Sequence, residues 1–248
     1  ARIDTVLIAN CKVIFLARLT SSCFPNRSSH QKLLGSLTQS SLAAAACNPL
    51  NKLGNITLNP CGLIANTFFN DVIKFIPGEG ESQSQQTMVE EGIAWNSDLE
   101  YKFRQPQGFD SEECDSCDTC SCAEGLTKEG KPWSCDRNNE PYVKSDGTCH
   151  KFYYPNEEVT QYLYETYPMI SPLEGVTNEH FVVWMRIAAY PTFRKLYGYF
   201  ESGFKKGDVV KFEVENNWIV TTFKGSKLLV ITTTSALGGK TTQLGGCF

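Results

Sequence analysis

The chain has 248 residues, 41% of them apolar and 12% aromatic, enough to bury a substantial core. A formal charge of −4 argues against a nucleic-acid binder, which would present a basic surface. No window approaches 18 consecutive apolar residues, so nothing in the chain reads as a transmembrane helix.

In chain order, Val6 to Leu19 alternates loosely and reads as a first strand after Cys11. His30 to Leu42 has the spacing of a short amphipathic helix, with Leu33, Leu34 and Leu37 on one face. Gly62 to Phe75 reads as a strand end followed by a turn at Asn70-Asp71. Pro77 to Gln86 is polar and glycine-bearing, hence a loop. Glu91 to Asp98 brings Trp95, expected in the core. Glu157 to Tyr167 has helical composition and would end at Pro168. Asp208 to Val214, Trp218 to Phe223 and Lys227 to Thr234 are separated by Asn216-Asn217 and Gly225-Ser226 turns. They predict a meander of three antiparallel strands. The fold class is therefore mainly β with short helices, an antiparallel sandwich-like domain. The domain is read as single over 1–248, with a cysteine-rich insertion at about 105–154.

The insertion holds Cys114, Cys117, Cys120, Cys122, Cys135 and Cys149 among polar residues. That composition buries little apolar surface, so cross-links must order it. Three disulfides are the favoured reading. A zinc site using His150 and a redox pair of Cys117 with Cys120 stay open, and the pairing is not set by the sequence. A total of 11 cysteines favours an oxidising, luminal or extracellular compartment. The sequons Asn26-Arg27-Ser28 and Asn55-Ile56-Thr57 agree, making Asn26 and Asn55 candidates for N-linked glycans.

Signals for catalysis are absent. The three histidines, His30, His150 and His180, lie near no Gly-x-Ser-x-Gly elbow. Carboxylate pairs such as Glu90/Glu91 or Asp71/Asp98 occur in any acidic protein. Gly238-Gly239-Lys240-Thr241 lacks the upstream glycine of a P-loop. No cofactor is implied.

The remaining stretch, Asn178 to Gly198 (NEHFVVWMRIAAYPTFRKLYG), organises the rest. Phe181 to Met185 is a short apolar run whose β-branched and aromatic content predicts a buried strand. Tyr190 before Pro191 is pushed to an extended backbone, so Thr192 to Tyr197 would form a stub helix stopped by Gly198. Arg186, Arg194 and Lys195 punctuate this apolar element. They either snorkel and pair with carboxylates or, with Trp184 and Tyr190, present a docking surface. Trp184 itself is favoured as core.

HFVVWMRIAAYPTFRKLYG resembles the signature of the cell division control protein 50, or ligand-effect modulator 3, family. Three further stretches agree in order: Asn59 to Asp71 (NPCGLIANTFFND), Gly92 to Asp98 with Lys102-Phe103, and Leu237 to Gly245 (LGGKTTQLG). The resemblance implies a non-catalytic accessory subunit of a type IV P-type ATPase, a phospholipid flippase. Such a subunit clamps the extracytoplasmic loops of the catalytic chain and aids its folding, exit from the endoplasmic reticulum and transport cycle. The resemblance also implies that this is the ectodomain of a two-span protein whose flanking transmembrane helices are missing from the sequence. It further implies a Cys47–Cys61 disulfide and a Cys11 that pairs with an upstream cysteine, or with Cys23 in its place, leaving Cys247 free. A secreted, lectin-like sandwich binding glycans is the alternative.

Overall fold

The computed structural model describes residues 11–18, 47–48, 50–78, 86–120, 125–133, 140–188, 192–201, 204, 208–221, 224–235 and 238–239. The chain divides into two compact units, each assembled from separate segments. The first comprises Ala1–Asn26, Phe68–Leu99 and Glu179–Phe248, and the second Arg27–Thr67 and Glu100–Asn178. The architecture is mainly β with short helices, and among the described residues every strand pairing but one is antiparallel.

In the first unit, β1 (Cys11–Arg18) is the predicted first strand. It lies between β9 (Thr192–Phe200) and β11 (Ser226–Ser235), with β12 (Gly238–Gly239) on the outer edge of β11. A separate ribbon joins β4 (Val72–Ile76) to β10 (Lys211–Glu215). Phe75 of β4 meets Phe200 of β9 at 4.8 Å and Phe212 of β10 at 5.7 Å between ring centroids. Edge-on aromatic contacts of this kind add to area burial, so the ribbon packs onto the larger sheet in the manner of a sandwich.

The second unit is built on β2 (Lys52–Leu53), β3 (Ile56–Asn59) and β8 (Thr160–Tyr162), and on β5 (Asp110–Cys114), β6 (Tyr142–Val143) and β7 (Cys149–Tyr153). Its core cluster is Phe152, Tyr154 and Tyr162, flanked by Phe109, Tyr142, Tyr164 and Leu173. The single proton of the buried Tyr154 hydroxyl is shared between the Pro172 carbonyl at 2.7 Å and Gln105 Oε1 at 3.1 Å. Gln105 Nε2 in turn donates to the Leu173 and Glu174 carbonyls. Gly175 sits against this network at φ +51°, where any Cβ would collide with Tyr154 and Gln105. The Cys47–Cys61 disulfide is present, and Cys114–Cys120 and Cys117–Cys149 cross-link the cysteine-rich segment. Cys117 and Cys120 each bond elsewhere, so they form no redox pair with one another. Cys122, Cys135, Cys23 and Cys247 lie outside the described residues, as do Asn26 and the 30–42 stretch.

Several sequence expectations are overturned. Phe181–Met185 is helical, within α3 (Glu179–Met185). Phe181, Val182, Trp184 and Met185 are buried and Val183 less so, a helical spacing that a five-residue run cannot separate from a strand. The stretch after Pro191 is the strand β9, paired with β1 along its length with one bulge at Tyr197. Long-range pairing of Phe193, Leu196, Tyr199 and Phe200 with β1 overrides the local helix signal. Gly198 is no helix stop: a Cβ there would sit 3.0 Å from Met88 Cγ and the Val89 carbonyl, so glycine allows the 88–89 segment its close approach.

No meander forms at the C-terminal end. β10 pairs with β4 and β11 with β1, and the backbone N–H groups of Asn217 and Trp218 go to Asp71 rather than to a ladder. The 157–167 helix shrinks to α2 (Leu163–Thr166), because 160–162 pair with β3. Trp95 is not core; it is 65% exposed. It precedes the remaining helix, α1 (Asn96–Tyr101). Among the described residues, no helix is long and apolar enough to cross a membrane, and no group of side chains could hold a metal ion.

Candidate functional site

Parts of three motif stretches meet around α3 in the first unit. The helix has only 7 residues, too short to stand on intrinsic propensity, and its ends are held by side chains. At the start, the Glu179 carboxylate accepts from the backbone N–H groups of Gly92 and Ala94, both at 2.8 Å. This fastens the GIAW segment, and Gly92 takes φ +70° to present its N–H there.

At the other end, the Lys195 ammonium from β9 donates to the carbonyls of Val183 at 2.9 Å, Trp184 at 3.1 Å and Arg186. The last carbonyls of a helix have no partner within it, and a cation there also meets the negative end of the macrodipole. Burial, and secondarily the nearby Arg186 charge, lowers the Lys195 pKa to about 8.

Arg186 follows the helix. Its Nε donates to Asp98 Oδ2 at 2.5 Å, and its guanidinium lies 4.8 Å from the Trp95 ring centroid. Asp98 is buried, whereas the Arg186 side chain is 46% exposed. The outcome is an outward-facing tryptophan–arginine stack on a buried carboxylate. Beside it, His180 Nε2 contacts Glu90 Oε2 at 2.8 Å and its ring lies 4.5 Å from that of Tyr197. Burial pushes the Tyr197 hydroxyl up to about 12 despite the Ile73 N–H that it accepts.

Beneath α3, Phe68 packs on Phe181, and Phe69 on Trp184, Tyr197 and Trp218. Asp71, from the same FFND segment, accepts the N–H groups of Asn217 and Trp218 at 2.7 and 2.6 Å and the Lys227 ammonium.

Of the five proposed contact residues, Trp184 is buried and Lys195 is committed to the helix end. Arg186 is half-exposed and Arg194 exposed, while Tyr190 lies outside the described residues. Asn55 is exposed at a hairpin tip. Sequence reasoning overlooked Trp95 as a surface group, Glu179 as the clamp on 92–94, and Asp71 as a buried anchor. The order of GIAW before NSD, ending in an aspartate near an arginine-bearing helix, was the one available signal for Trp95.

The LEM3 (ligand-effect modulator 3) family / CDC50 family model matches residues 23–248. The chain belongs to this family. It is 32% identical over 204 residues to ALA-interacting subunit 3 of Arabidopsis thaliana, covering 81% of this chain and 43% of that protein. It is 31% identical over 210 residues to cell cycle control protein 50A of Mus musculus, covering 80% and 48%. Against cell cycle control protein 50B of Homo sapiens it is 29% identical over 220 residues, covering 83% and 53%. The chain spans about half the length of the curated relatives it matches.

Proposed function

We propose that this chain is the extracytoplasmic part of a non-catalytic accessory subunit of a phospholipid-translocating P-type ATPase. It clamps the extracytoplasmic loops of the catalytic chain and supports its folding, exit from the endoplasmic reticulum and transport cycle. The observation that carries this reading is the family match over nearly the whole chain, joined by relatives named as interacting subunits. Three disulfides in the second unit suit a luminal or extracellular position, in the endoplasmic reticulum, Golgi or plasma membrane. Anchoring would come from helices flanking the matched region.

Mechanistically, the partner supplies the chemistry and this domain supplies a surface. A clamp of this kind needs an interface rich in aromatic and arginine anchors. Trp95 with Arg186, and the exposed Arg194, fit that requirement in the first unit. Trp184 and Lys195 act one step behind, by fixing α3. The glycan-binding sandwich has no support among the relatives.

The test is purification of the full-length, membrane-anchored protein in gentle detergent, followed by mass spectrometry of what accompanies it. A stoichiometric P-type ATPase of the lipid-transporting class is expected. Recovery of the chain alone would overturn the reading.

A further inference from the structure

The Cys117–Cys149 bridge of the second unit joins two residues in opposite surroundings. Cys117 is exposed, whereas Cys149 is 2% exposed. Cys149 lies in β7 directly in register with Cys114 of β5 on one side and Val143 of β6 on the other. In the neighbouring bridge, Cys120 is 4% exposed and Cys114 half-buried. Among the described disulfides, Cys117 is the one exposed member.

Each half is held in place without the bridge. The backbone N–H groups of Ser116 and Thr119 donate to one another's hydroxyls at 3.1 and 3.2 Å, and Cys120 N–H donates to the Ser116 carbonyl at 3.1 Å. Cys114–Cys120 closes the base of this turn. Cys149 is fixed by the ladders on both sides. The turn before it is closed by Lys144 N–H to the Thr148 carbonyl and Gly147 N–H to the Lys144 carbonyl, both at 2.9 Å. Opening the bridge therefore leaves the two sulfurs close together at a high effective concentration, which favours reclosure.

The charge around the exposed half has one sign. Between Gln105 and Cys120 stand Asp110, Glu112, Glu113, Asp115 and Asp118 with no Lys or Arg, and Asp115 and Asp118 are exposed. Lys151, two residues beyond Cys149, is taken up by Glu112 at 3.5 Å and by the Trp133 ring at 5.2 Å.

We propose that Cys117–Cys149 is a reversible exchange site for a small thiol of neutral or positive charge, entered at Cys117. The incoming thiolate attacks Cys117 Sγ. A new S–S bond forms, the Cys117–Cys149 bond breaks, and Cys149 leaves as the thiolate with the electron pair. The reverse attack by Cys149 expels the small thiol and restores the bridge, so no oxidant or reductant is consumed. Exchange depends on access and on which sulfur is attacked, so the exposed residue receives the thiol and the buried one is the retained leaving group. The surrounding carboxylates repel anionic thiolates, an effect that salt screens. The inference goes beyond the subunit reading and takes from it only the oxidising compartment that closes the bridge.

The test uses the full-length protein in gentle detergent, with free thiols first blocked by N-ethylmaleimide. Cysteamine and glutathione are the probes, a second alkylating agent of different mass is the quench, and peptides are mapped by mass spectrometry. Cysteamine should appear on Cys117 with the quench label on Cys149, at least about ten-fold over the reverse. Per thiolate, cysteamine should react about five-fold faster than glutathione at low salt, and the gap should narrow at high salt. Removing the thiol before the quench should restore the bridge. Asp115→Asn combined with Asp118→Asn should narrow the low-salt gap and leave Cys117 the point of entry.

Cysteamine on Cys149 as often as on Cys117, or entry at Cys114–Cys120 ahead of this bridge, overturns the assignment. A low-salt gap unchanged in the double variant overturns the charge selection, and a bridge that does not re-form overturns the reversibility. Free Cys117 and Cys149 in the purified protein, with Cys47–Cys61 oxidised, overturn this inference and leave the subunit reading intact. Free thiols at all three pairs overturn the extracytoplasmic position itself.

Discussion

Lys195→Met removes the ammonium from the end of α3 and keeps most of its apolar stem. Three carbonyls, of Val183, Trp184 and Arg186, lose their donor. Hydrogen bonds to a charged group contribute about 1.5–3 kcal/mol each, and a buried acceptor left bare costs about 1–3 kcal/mol. Against this stands the penalty of burying the charge. A fall from the ordinary 10.5 to about 8 corresponds to roughly 3 kcal/mol against the protonated form, at about 1.4 kcal/mol per unit. The three hydrogen bonds win, by an expected net loss of about 1.5–6 kcal/mol at pH 7.

The sign of the pH dependence separates this account from a mere packing defect. Between about 8 and 10.5 the unfolded lysine holds its proton while the folded one has released it. Stability of the natural protein therefore gains from this group as pH rises through that window, since the unfolded state binds more protons. The neutral amine still donates to carbonyls, so the gap between natural protein and variant should widen from pH 7.5 to 9.5. Urea unfolding followed by tryptophan fluorescence, with disulfides intact, measures it. A gap that stays constant or narrows, or a variant as stable as the natural chain, would refute the capping argument.

Further outcomes follow from the same packing. Asp71→Ala strips the carboxylate partner from the largely buried Lys227 ammonium, leaving it the Trp218 carbonyl, and should destabilise by about 3–5 kcal/mol in the same unfolding assay; an effect below about 1 kcal/mol would show that Lys227 relaxes to solvent. Gly175→Ala forces both a strained φ and a collision with Tyr154; a loss above about 2 kcal/mol is expected in thermal or urea unfolding. Tyr197 is pushed up to about 12, and burial also raises Tyr154 and Tyr162. Their stabilisation is complete below pH 10 and lost as pH rises through the folded values, so the share of the tyrosinate absorbance that these three contribute should appear together with unfolding rather than before it. Trp95→Ala with Arg194→Glu should change stability by less than about 0.5 kcal/mol each, as exposed positions do, yet lower recovery of the ATPase partner in detergent; undiminished recovery would remove this face from the interface.

The fold class, the first strand and the Cys47–Cys61 bridge were legible in the sequence, the last through resemblance. The identity of short elements was not. α3 and β9 exchange the conformations expected of them because each is decided by partners distant in the chain: Glu179 and Lys195 bind backbone at the ends of α3, and β1 pairs with β9. Local propensity amounts to tenths of a kcal/mol per residue, whereas these contacts contribute whole ones. Trp95 was misplaced for a similar reason. A tryptophan is a core residue by default, and only the guanidinium over its ring shows why this one can stand in solvent.

The stretch carrying the family resemblance turns out to be chiefly self-directed. Its glutamate ties down GIAW, its lysine closes its own helix, its phenylalanine and tryptophan pack on the FFND segment, and its arginine covers the NSD aspartate. Each motif is thus the other's binding site within the first unit. Among the described motif residues, the large side chains that this arrangement leaves outward include Trp95, Arg186 and Arg194, and under the proposed function these are the candidates for partner recognition. A buried lysine with its pKa lowered to about 8 is a poor docking charge, since a partner's carboxylate would have to compete with three carbonyls already in place. Substituting Lys195 should therefore impair the partner complex only in proportion to the lost stability, whereas substituting Trp95 should impair it at full stability.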